Sequence, residues 1–238
     1  MIFTQSDFDV RCEWGEEGLS RLAPISDAVI IVDVMSFSTC VTMAVKAGAT
    51  VYPHRYRDAT AQERANLLGA ELAKARGAGL YSLSPSTMLN LQPGVKLILP
   101  SPNGATLSLG SGNIPTFVGC LRNASAVAKA AAKCGSRIAV IPAGERWEPG
   151  EGLRPAIEDW IGAGAIISFL HGSRSPEADI AVSAFNSARN HLHDVLSRCT
   201  SGKELISKCF AADIDLIAAL NIDLVAPRLV DACYVVTK

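Results

Sequence analysis

Three apolar runs rich in β-branched residues each lead into a polar cluster that favours a loop or a helix start. The runs cover residues 29–34, 97–99 and 138–141, and the clusters cover residues 36–39, 101–106 and 144–146. Continuous apolar runs of this kind are typical of strands that are buried on both faces. Because they alternate with helical segments, we expect an α/β protein with three layers, α/β/α, and a largely parallel or mixed sheet.

The segments between the runs predict how the chain returns to this sheet. A helix over residues 38–46 and a strand over residues 50–52 would complete a βαβ unit with the first run. Further helices are predicted over residues 61–75, 123–134, 153–170 and 177–199, with a loop over residues 146–152 and a last strand over residues 232–236. No repeat or linker divides the chain, so we expect one domain over residues 1–238. If this domain consists of two lobes, we expect the site in the cleft between them.

The composition excludes several classes of partner. Hydrophobic residues make up 49% of the chain, charged residues 19%, and the net charge is −1, so there is no basic surplus for nucleic acid or anionic lipid. No apolar run reaches the length of about 18 residues that a membrane span needs, and no basic and apolar leader opens the sequence. Seven dispersed cysteines without a C-x-x-C pair are typical of reduced thiols. We therefore expect a cytoplasmic protein without nucleic-acid or membrane partners, and a homodimer as the commonest oligomer.

The polar clusters contain the residue types that bind phosphate beside a metal ion. Open α/β sheets bind ligands at the carboxyl ends of their strands, where a helix start also directs unpaired N–H groups at an anion. Asp33 lies at the end of a wholly apolar run, which favours a metal ligand or a nucleophile over a helix cap. Ser38 and Thr39 either cap the next helix or contact the anion.

The second cluster is a turn with a Pro-Asn-Gly sequence. It either exposes backbone N–H groups to phosphate or forms a plain β-turn. Its candidate binding residues are Ser101, Asn103, Gly104 and Thr106.

Acids and arginines farther along the chain could complete such a site. Glu145 and Arg146 combine a metal ligand with a fork that fits phosphate, or they form a surface ion pair. Asp159 lies beside Trp160 and is expected to turn inward, whereas Glu158 favours a role at the positive end of its helix.

Other charged residues have weaker signals. Arg122 and Arg154 either neutralise substrate charge or lie in solvent, and Asp213 and Asp215 are predicted to be solvated helix acids. The histidines lack metal-ligand spacing. The chain contains no G-x-G-x-x-G, Walker A or G-x-S-x-G motif, so dinucleotide, NTPase and serine-hydrolase functions lose their usual support.

Five motifs in order, from about residue 9 to the end of the sequence, resemble those of the 2-phosphosulfolactate phosphatase (ComB) family. They are Val-Asp-Val with Ser-Thr at 32–34 and 38–39, Ser-Pro-Asn-Gly at 101–104, Asn-Ala-Ser-Ala-Val-Ala at 123–128, Pro-Ala-Gly-Glu at 142–145 and Ile-Glu-Asp-Trp-Ile-Gly-Ala-Gly at 157–164. The resemblance implies a Mg²⁺-dependent phosphoric monoester hydrolase with an unusual α/β fold. Its reaction would be hydrolysis of (R)-2-phospho-3-sulfolactate to 3-sulfolactate and phosphate, a step towards coenzyme M in methanogens.

The residues and the resemblance together assign roles. Asp33, Glu145 and Arg146 would be catalytic, and Mg²⁺ would be held by Asp33, Glu145 and Asp159. The phosphoester would be bound by Ser38, Thr39, Ser101, Asn103, Gly104, Thr106, Arg122 and Arg154. Either water or Asp33 would be the nucleophile.

Two departures keep the substrate open. The family usually has an arginine where this chain has Ser36, and it tends to carry a Gly-Glu-Arg segment and an Asn-Ser-Pro stretch where this chain reads Lys-Ala-Arg-Gly at 74–77 and Leu-Ser-Pro at 83–85. Those positions would meet part of the charge of the substrate. The alternatives are a phosphatase or phosphotransferase that acts on another small phosphoester, and a non-catalytic anion-binding protein with the same fold.

Overall fold

The computed structural model of the chain describes residues 2–147 and 152–236. In chain order its strands are β1 (Val10–Cys12), β2 (Ala28–Val32), β3 (Thr50–His54), β4 (Glu71–Leu72), β5 (Lys96–Pro100), β6 (Thr116–Gly119), β7 (Ile138–Pro142), β8 (Glu145–Arg146), β9 (Leu153–Arg154), β10 (Pro227–Val230) and β11 (Cys233–Val236). Its helices are α1 (Gly15–Leu22), α2 (Phe37–Lys46), α3 (Ala59–Leu68), α4 (Pro85–Met88), α5 (Gly104–Gly110), α6 (Ala124–Ala132), α7 (Ile157–Ile167), α8 (Pro176–Ala188), α9 (Leu192–Arg198), α10 (Thr200–Ser207) and α11 (Ala211–Ala218). Within these described ranges, no helix has the length and apolar character that crossing a membrane requires.

Nine of the described strands form one mixed sheet in the order β1-β7-β2-β6-β10-β11-β3-β5-β4. Strands β1, β7, β2 and β6 are parallel to one another, and β10 is antiparallel to β6. Because β11 is antiparallel to both β10 and β3, the strands β3, β5 and β4 run opposite to β2. The prediction of a mixed sheet is therefore confirmed.

The predicted βαβ unit is wrong. Strand β3 follows α2 as expected, but it pairs with β5 and β11 and runs antiparallel to β2. The hairpin of β10 and β11, from the far end of the chain, separates the two halves of the sheet. A local pattern of strand, helix and strand carries no information about that insertion.

Both faces of the sheet are covered, which confirms the three-layer α/β/α architecture. Alternate residues of β2 point to opposite faces, as the pleat of a strand requires. Ile30 packs in a buried cluster with residues of α6, α7 and α8, and Ile31 packs in a second cluster with residues of α1, α2 and α5. Each such aliphatic side chain contributes about 1.5–3 kcal/mol through burial.

The second cluster continues along one face of the sheet, beside α2 and α5. It joins Ile31 of β2 to Val51 of β3, Leu99 of β5 and Tyr234 of β11, although three strands lie between β2 and β3. The ring of Phe37 in α2 meets the ring of Tyr234 edge to face at 6.2 Å. The end of β5 lies close to the end of β2, since Ser101 after β5 donates to Asp33 after β2.

Several helix predictions differ from the structure at their ends. The helix predicted over residues 61–75 ends at Gly69, which takes a left-handed φ of +58°, because the residues that follow pair with β5 as β4. The helix predicted from residue 153 begins at Ile157, since Leu153 pairs with Arg146. The stretch 177–199 forms two helices, α8 and α9. Of the predicted loop over residues 146–152, residues 148–151 lie outside the described ranges.

Candidate active site

Asp33 follows the last residue of β2 and is almost completely buried. The N–H groups of Phe37 and Gly104 donate to its two carboxylate oxygens at 3.2 and 2.9 Å. The hydroxyl of Ser101 also donates to Oδ2, at 3.3 Å. Phe37 and Gly104 are the first residues of α2 and α5, so two helix starts face one carboxylate.

Position 104 requires glycine because the elements approach so closely. A Cβ atom there would lie 2.3 Å from Cδ1 of Phe37 and 2.7 Å from Oδ2 of Asp33. Any side chain would push the start of α5 away from the carboxylate. The preceding residue, Asn103, donates from Nδ2 to Oε2 of Glu145 at 2.9 Å. The Asn-Gly pair thus orients two acids at once.

Asp159 joins the loops that follow β2 and β7. Its Oδ1 accepts the Val34 N–H at 2.7 Å, and its Oδ2 accepts the Gly144 N–H at 2.9 Å. The side chain is buried, so the prediction that it turns inward is confirmed. Its neighbour Glu158 lies in the same first turn of α7 and is also buried, and Oε2 of Glu158 has no hydrogen-bond partner in the described part of the chain.

These acids oppose one another electrostatically. Burial raises the pKa of Asp33 against its three hydrogen bonds, which lower it, and the charge of Glu158 adds to the rise. Burial, followed by the charges of Asp33 and Glu158, raises the pKa of Asp159 well above its usual range. Burial, followed by the charge of Asp33, raises the pKa of Glu145 to about 7. A cation among these groups would relieve both the burial cost and the repulsion.

The donor atoms suit a hard divalent cation such as Mg²⁺. This ion prefers oxygen ligands and keeps several waters, so one or two carboxylates and a substrate phosphate are enough to hold it. Among the described residues, no group of three or more His, Cys, Asp or Glu side chains is arranged to enclose a metal. The unpartnered Oε2 of Glu158 and the raised pKa of Glu145 are features that a nearby cation would satisfy. A site with few protein ligands therefore fits, and a fully protein-enclosed one does not.

A cavity of about 170 Å³ opens beside Asp33, and we call it the acid cleft. Its lining includes three carboxylates and two cations. Its polar lining consists of Asp33, Ser36, Arg76, Ser101, Asn103, Glu145, Ser201, Glu204 and Lys208.

A larger cavity of about 380 Å³ shares Pro102, Asn103 and Glu145 with the acid cleft. We call it the neighbouring cavity. Its far side includes Trp14, whose ring stacks on that of Trp160 at 5.0 Å. Its charged lining residues are Glu16, Glu17, Glu145 and Arg146.

Comparison with known proteins gives the family. A model of the family described as 2-phosphosulpholactate phosphatase matches residues 17–232, which include every acid of the site. The chain belongs to this family.

Two relatives agree with that assignment. A protein of Carboxydothermus hydrogenoformans described as a probable 2-phosphosulfolactate phosphatase is 32% identical over 211 residues, which cover 84% of this chain and 85% of the relative. A protein of Methanothermobacter thermautotrophicus described as 2-phosphosulfolactate phosphatase is 30% identical over 201 residues, which cover 83% of this chain and 84% of the relative. The resemblance seen in the five motifs is therefore confirmed.

Four of the predicted site residues line the acid cleft. Asp33, Ser101, Asn103 and Glu145 line it, and the N–H of Gly104 reaches Asp33 from behind. Arg154 lies at its edge, where Nη2 donates to Ser201 Oγ at 3.1 Å.

Two predicted hydroxyl residues support the loop after β2 and are not among the residues that line the cleft. Ser38 is fully buried, and its Oγ accepts the N–H of Asp33 at 2.9 Å. Thr39 is also fully buried and donates from Oγ1 to the Val34 carbonyl at 2.9 Å. The Thr106 hydroxyl is buried without a hydrogen-bond partner among the described residues.

Two predicted arginines have other partners. Arg122 is buried, and it donates from Nε to Asp223 and from Nη1 to the Leu216 carbonyl, both at 2.6 Å. Arg146 lines the neighbouring cavity and pairs with Glu16 at 3.3 Å, with about half of its side chain exposed.

From the sequence, Arg76 is expected only as part of a segment that meets substrate anions, and nothing connects it with Asp213. The prediction that Asp213 is solvated is wrong, because it is 1% exposed and pairs with Arg76 at 2.7 Å. Asp213 precedes Leu216 and Ile217 by three and four residues, so the helical pattern does place it on the apolar face of α11. Arg76 lies in a loop, where no periodic pattern indicates its direction.

Proposed function

We propose that this protein is a Mg²⁺-dependent phosphatase that hydrolyses 2-phosphosulfolactate to 3-sulfolactate and phosphate. The observation that carries the proposal is a cluster of four carboxylates: Asp33, Glu158 and Asp159 are buried, and Glu145, which is partly buried, lines the acid cleft together with Asp33. Such clustering costs folding stability, so it is expected where function requires it. Family membership and the names of the two relatives supply the substrate.

Asp33 and Glu145 would hold the cation, with Asp159 as a further or water-mediated ligand. Bound Mg²⁺ supplies electrostatic stabilisation to the phosphoryl group that is transferred. The surrounding hydrogen bonds fix the Asp33 carboxylate in one orientation, because Oδ2 accepts two of them and Oδ1 accepts one. A lone pair of Oδ1 stays available, either for the cation or for attack on phosphorus. The nucleophile is therefore Asp33 or a water molecule.

Glu145 is suited to proton transfer as well as to cation binding. With a pKa of about 7, it carries a proton for part of the time near neutral pH. It could donate that proton to the departing alkoxide oxygen, or accept one from attacking water. Cation binding would instead keep Glu145 ionised, so a pH–rate profile without an inflection near 7 would favour the ligand role.

The size of the acid cleft favours a small substrate. Its volume of about 170 Å³ lies below the range of about 300–1,000 Å³ typical of sites for drug-sized ligands. A three-carbon acid phosphate fits this scale better than a nucleotide does. A cytoplasmic location and a role in coenzyme M synthesis accompany the proposal through the family resemblance.

Phosphate release from a panel of small phosphomonoesters, with Mg²⁺ and with EDTA, tests the proposal. We expect Mg²⁺-dependent release from 2-phosphosulfolactate above all other esters, and none from the Asp33→Asn variant. Release from other esters alone would keep the phosphatase and discard the substrate. Phosphate binding without release from any ester would favour a non-catalytic anion-binding protein.

A further inference from the structure

Arg76 enters the acid cleft from the loop after β4 with its guanidinium held on three sides. Nη2 donates to Ser36 Oγ at 3.0 Å, and Nη1 donates to Asp213 Oδ2 at 2.7 Å. One face of the guanidinium packs on the ring of Phe210, 5.3 Å from its centroid. The side chain is still 19% exposed, so a fixed cation faces the cleft.

Asp213 orients the guanidinium of Arg76. It is buried in α11 and also accepts hydrogen bonds from the Ser84 hydroxyl and from the Ser86 N–H, the latter at 3.0 Å. Those donors hold the carboxylate independently of Arg76. Arginine has five N–H donors, and among the described residues Ser36 and Asp213 accept from two of its nitrogens, so further donors can reach a ligand in the cleft.

The charged residues that line the two cavities indicate which way the substrate extends from its phosphate. The acid cleft is lined by Arg76 and Lys208 and by Asp33, Glu145 and Glu204, and Lys208 already pairs with Glu204. In the neighbouring cavity the cation Arg146 likewise pairs with Glu16 of the lining. The partner of Arg76, Asp213, lies outside both described linings, so an anionic group that extends away from the phosphate is favoured on the Arg76 side.

We propose that Arg76 binds the second anionic group of the substrate, a sulfonate or a carboxylate, and that Asp213 is the residue that positions it. The inference rests on the proposed function, in which the phosphate occupies the wall of Asp33 and Glu145. It makes Arg76 a determinant of specificity for phosphorylated acids over phosphate esters of neutral alcohols. The planar fork of arginine suits such oxyanions.

Turnover of two substrates separates this role from a structural one. In Arg76→Gln, kcat/KM for 2-phosphosulfolactate should fall by about 10- to 100-fold, mainly through KM, because a charge-assisted hydrogen bond is lost. The value for glycerol 2-phosphate, which lacks a second acid, should stay within about threefold. Asp213→Asn should also lower kcat/KM for 2-phosphosulfolactate, but to a smaller extent. Arg189→Gln is the matched control, since Arg189 also lies over a ring, that of Phe185, but is exposed elsewhere.

Binding calorimetry makes the result independent of turnover. We expect Arg76→Gln to lose affinity for 3-sulfolactate and to keep its affinity for inorganic phosphate. Equal losses for both ligands, equal losses for both esters, or a wild-type protein that binds no 3-sulfolactate would overturn the assignment. Wild-type protein that binds 3-sulfolactate through Arg76 but releases no phosphate would refute the proposed function and leave the anion site standing.

Discussion

The substitution Glu145→Gln should make the metal-free protein more stable above pH 7. Glutamine has the same shape, and its Oε1 can still accept the hydrogen bond from Asn103. The substitution removes only a charge, one that burial and the neighbouring Asp33 oppose. Enzymes that cluster acids for function are expected to gain stability when one of them is neutralised.

The magnitude follows from the pKa of Glu145, which rises from 4.5 to about 7 on folding. At a pH above both values this corresponds to about 3 kcal/mol, since each pKa unit is worth about 1.36 kcal/mol. Solvent screening of the partly exposed side chain reduces it to about 1–2 kcal/mol. A chain of this length gains about 2–4 °C in Tm per kcal/mol, so we expect a rise of about 2–8 °C.

The sign of the pH dependence is fixed by the direction of the shift. The folded pKa is raised, so the contribution of Glu145 to stability is fully present below pH 4.5 and is lost as the pH rises through 7. The gain in the free energy of unfolding of the variant over the wild type should therefore be complete at pH 8. At pH 5 only about a quarter of it should be present.

Thermal unfolding in EDTA at pH 5 and pH 8 measures this difference. Glu16→Gln is the control, because Glu16 is an exposed carboxylate on the same side of the molecule and its neutralisation should change stability by less than about 0.5 kcal/mol. Added Mg²⁺ should stabilise the wild type more than the variant. A variant no more stable than the wild type at pH 8 would refute the argument that Glu145 is held at an electrostatic cost.

Three further substitutions test the rest of the site. Gly104→Ala should lower the free energy of unfolding by at least about 2 kcal/mol and remove most of the activity, because its Cβ would meet Phe37 and Asp33. Gly110→Ala is the control, since a Cβ at this position of the same helix meets only Leu19, at 3.5 Å. Denaturant unfolding and turnover of both variants check this prediction. Asp33→Asn should reduce Mg²⁺-dependent turnover to background in a folded protein, and near-normal turnover would remove Asp33 from the mechanism. Arg146 is predicted from the sequence to be catalytic, and if it neutralises charge in the transition state, Arg146→Ala should raise the barrier by about 2–4 kcal/mol. An unchanged kcat would leave Arg146 as half of a surface ion pair.

The local sequence pattern was sufficient to predict the central elements of the fold. The apolar run at β2 and the polar residues after it predicted a buried strand and the helix α2, and both are present within two residues of the expected ends. The direction of β3 could not be predicted, because it depends on pairing with β11 near the far end of the chain. The helix expected over residues 61–75 is present but ends at Leu68, because the contact of the edge strand β4 with β5 overrides helix propensity beyond it.

The acids of the candidate site could be found from sequence because their placement at strand ends is a local signal. Asp33 and Glu145 follow apolar strands, where an unpaired carboxylate is unfavourable. Arg76 and Asp213 could not be paired in this way, because 137 residues separate them and the two belong to a loop and a helix of different segments. Their partnership exists only once α11 packs beside the cleft.

The site combines strands that run in opposite directions, which the usual rule for open sheets does not anticipate. Asp33 and Glu145 follow the parallel neighbours β2 and β7, but Gly104 follows β5, which runs the other way. Gly104 reaches Asp33 beside Phe37 at the start of α2, and the hairpin of β10 and β11 connects the two halves of the sheet. Tyr234 of that hairpin donates to Ser108 Oγ at 2.7 Å, and Ser108 donates to the Gly104 carbonyl at 2.6 Å. The hairpin of β10 and β11 thus helps to hold the start of α5 against the carboxylate, so the geometry of the site depends on strands from both halves of the sheet.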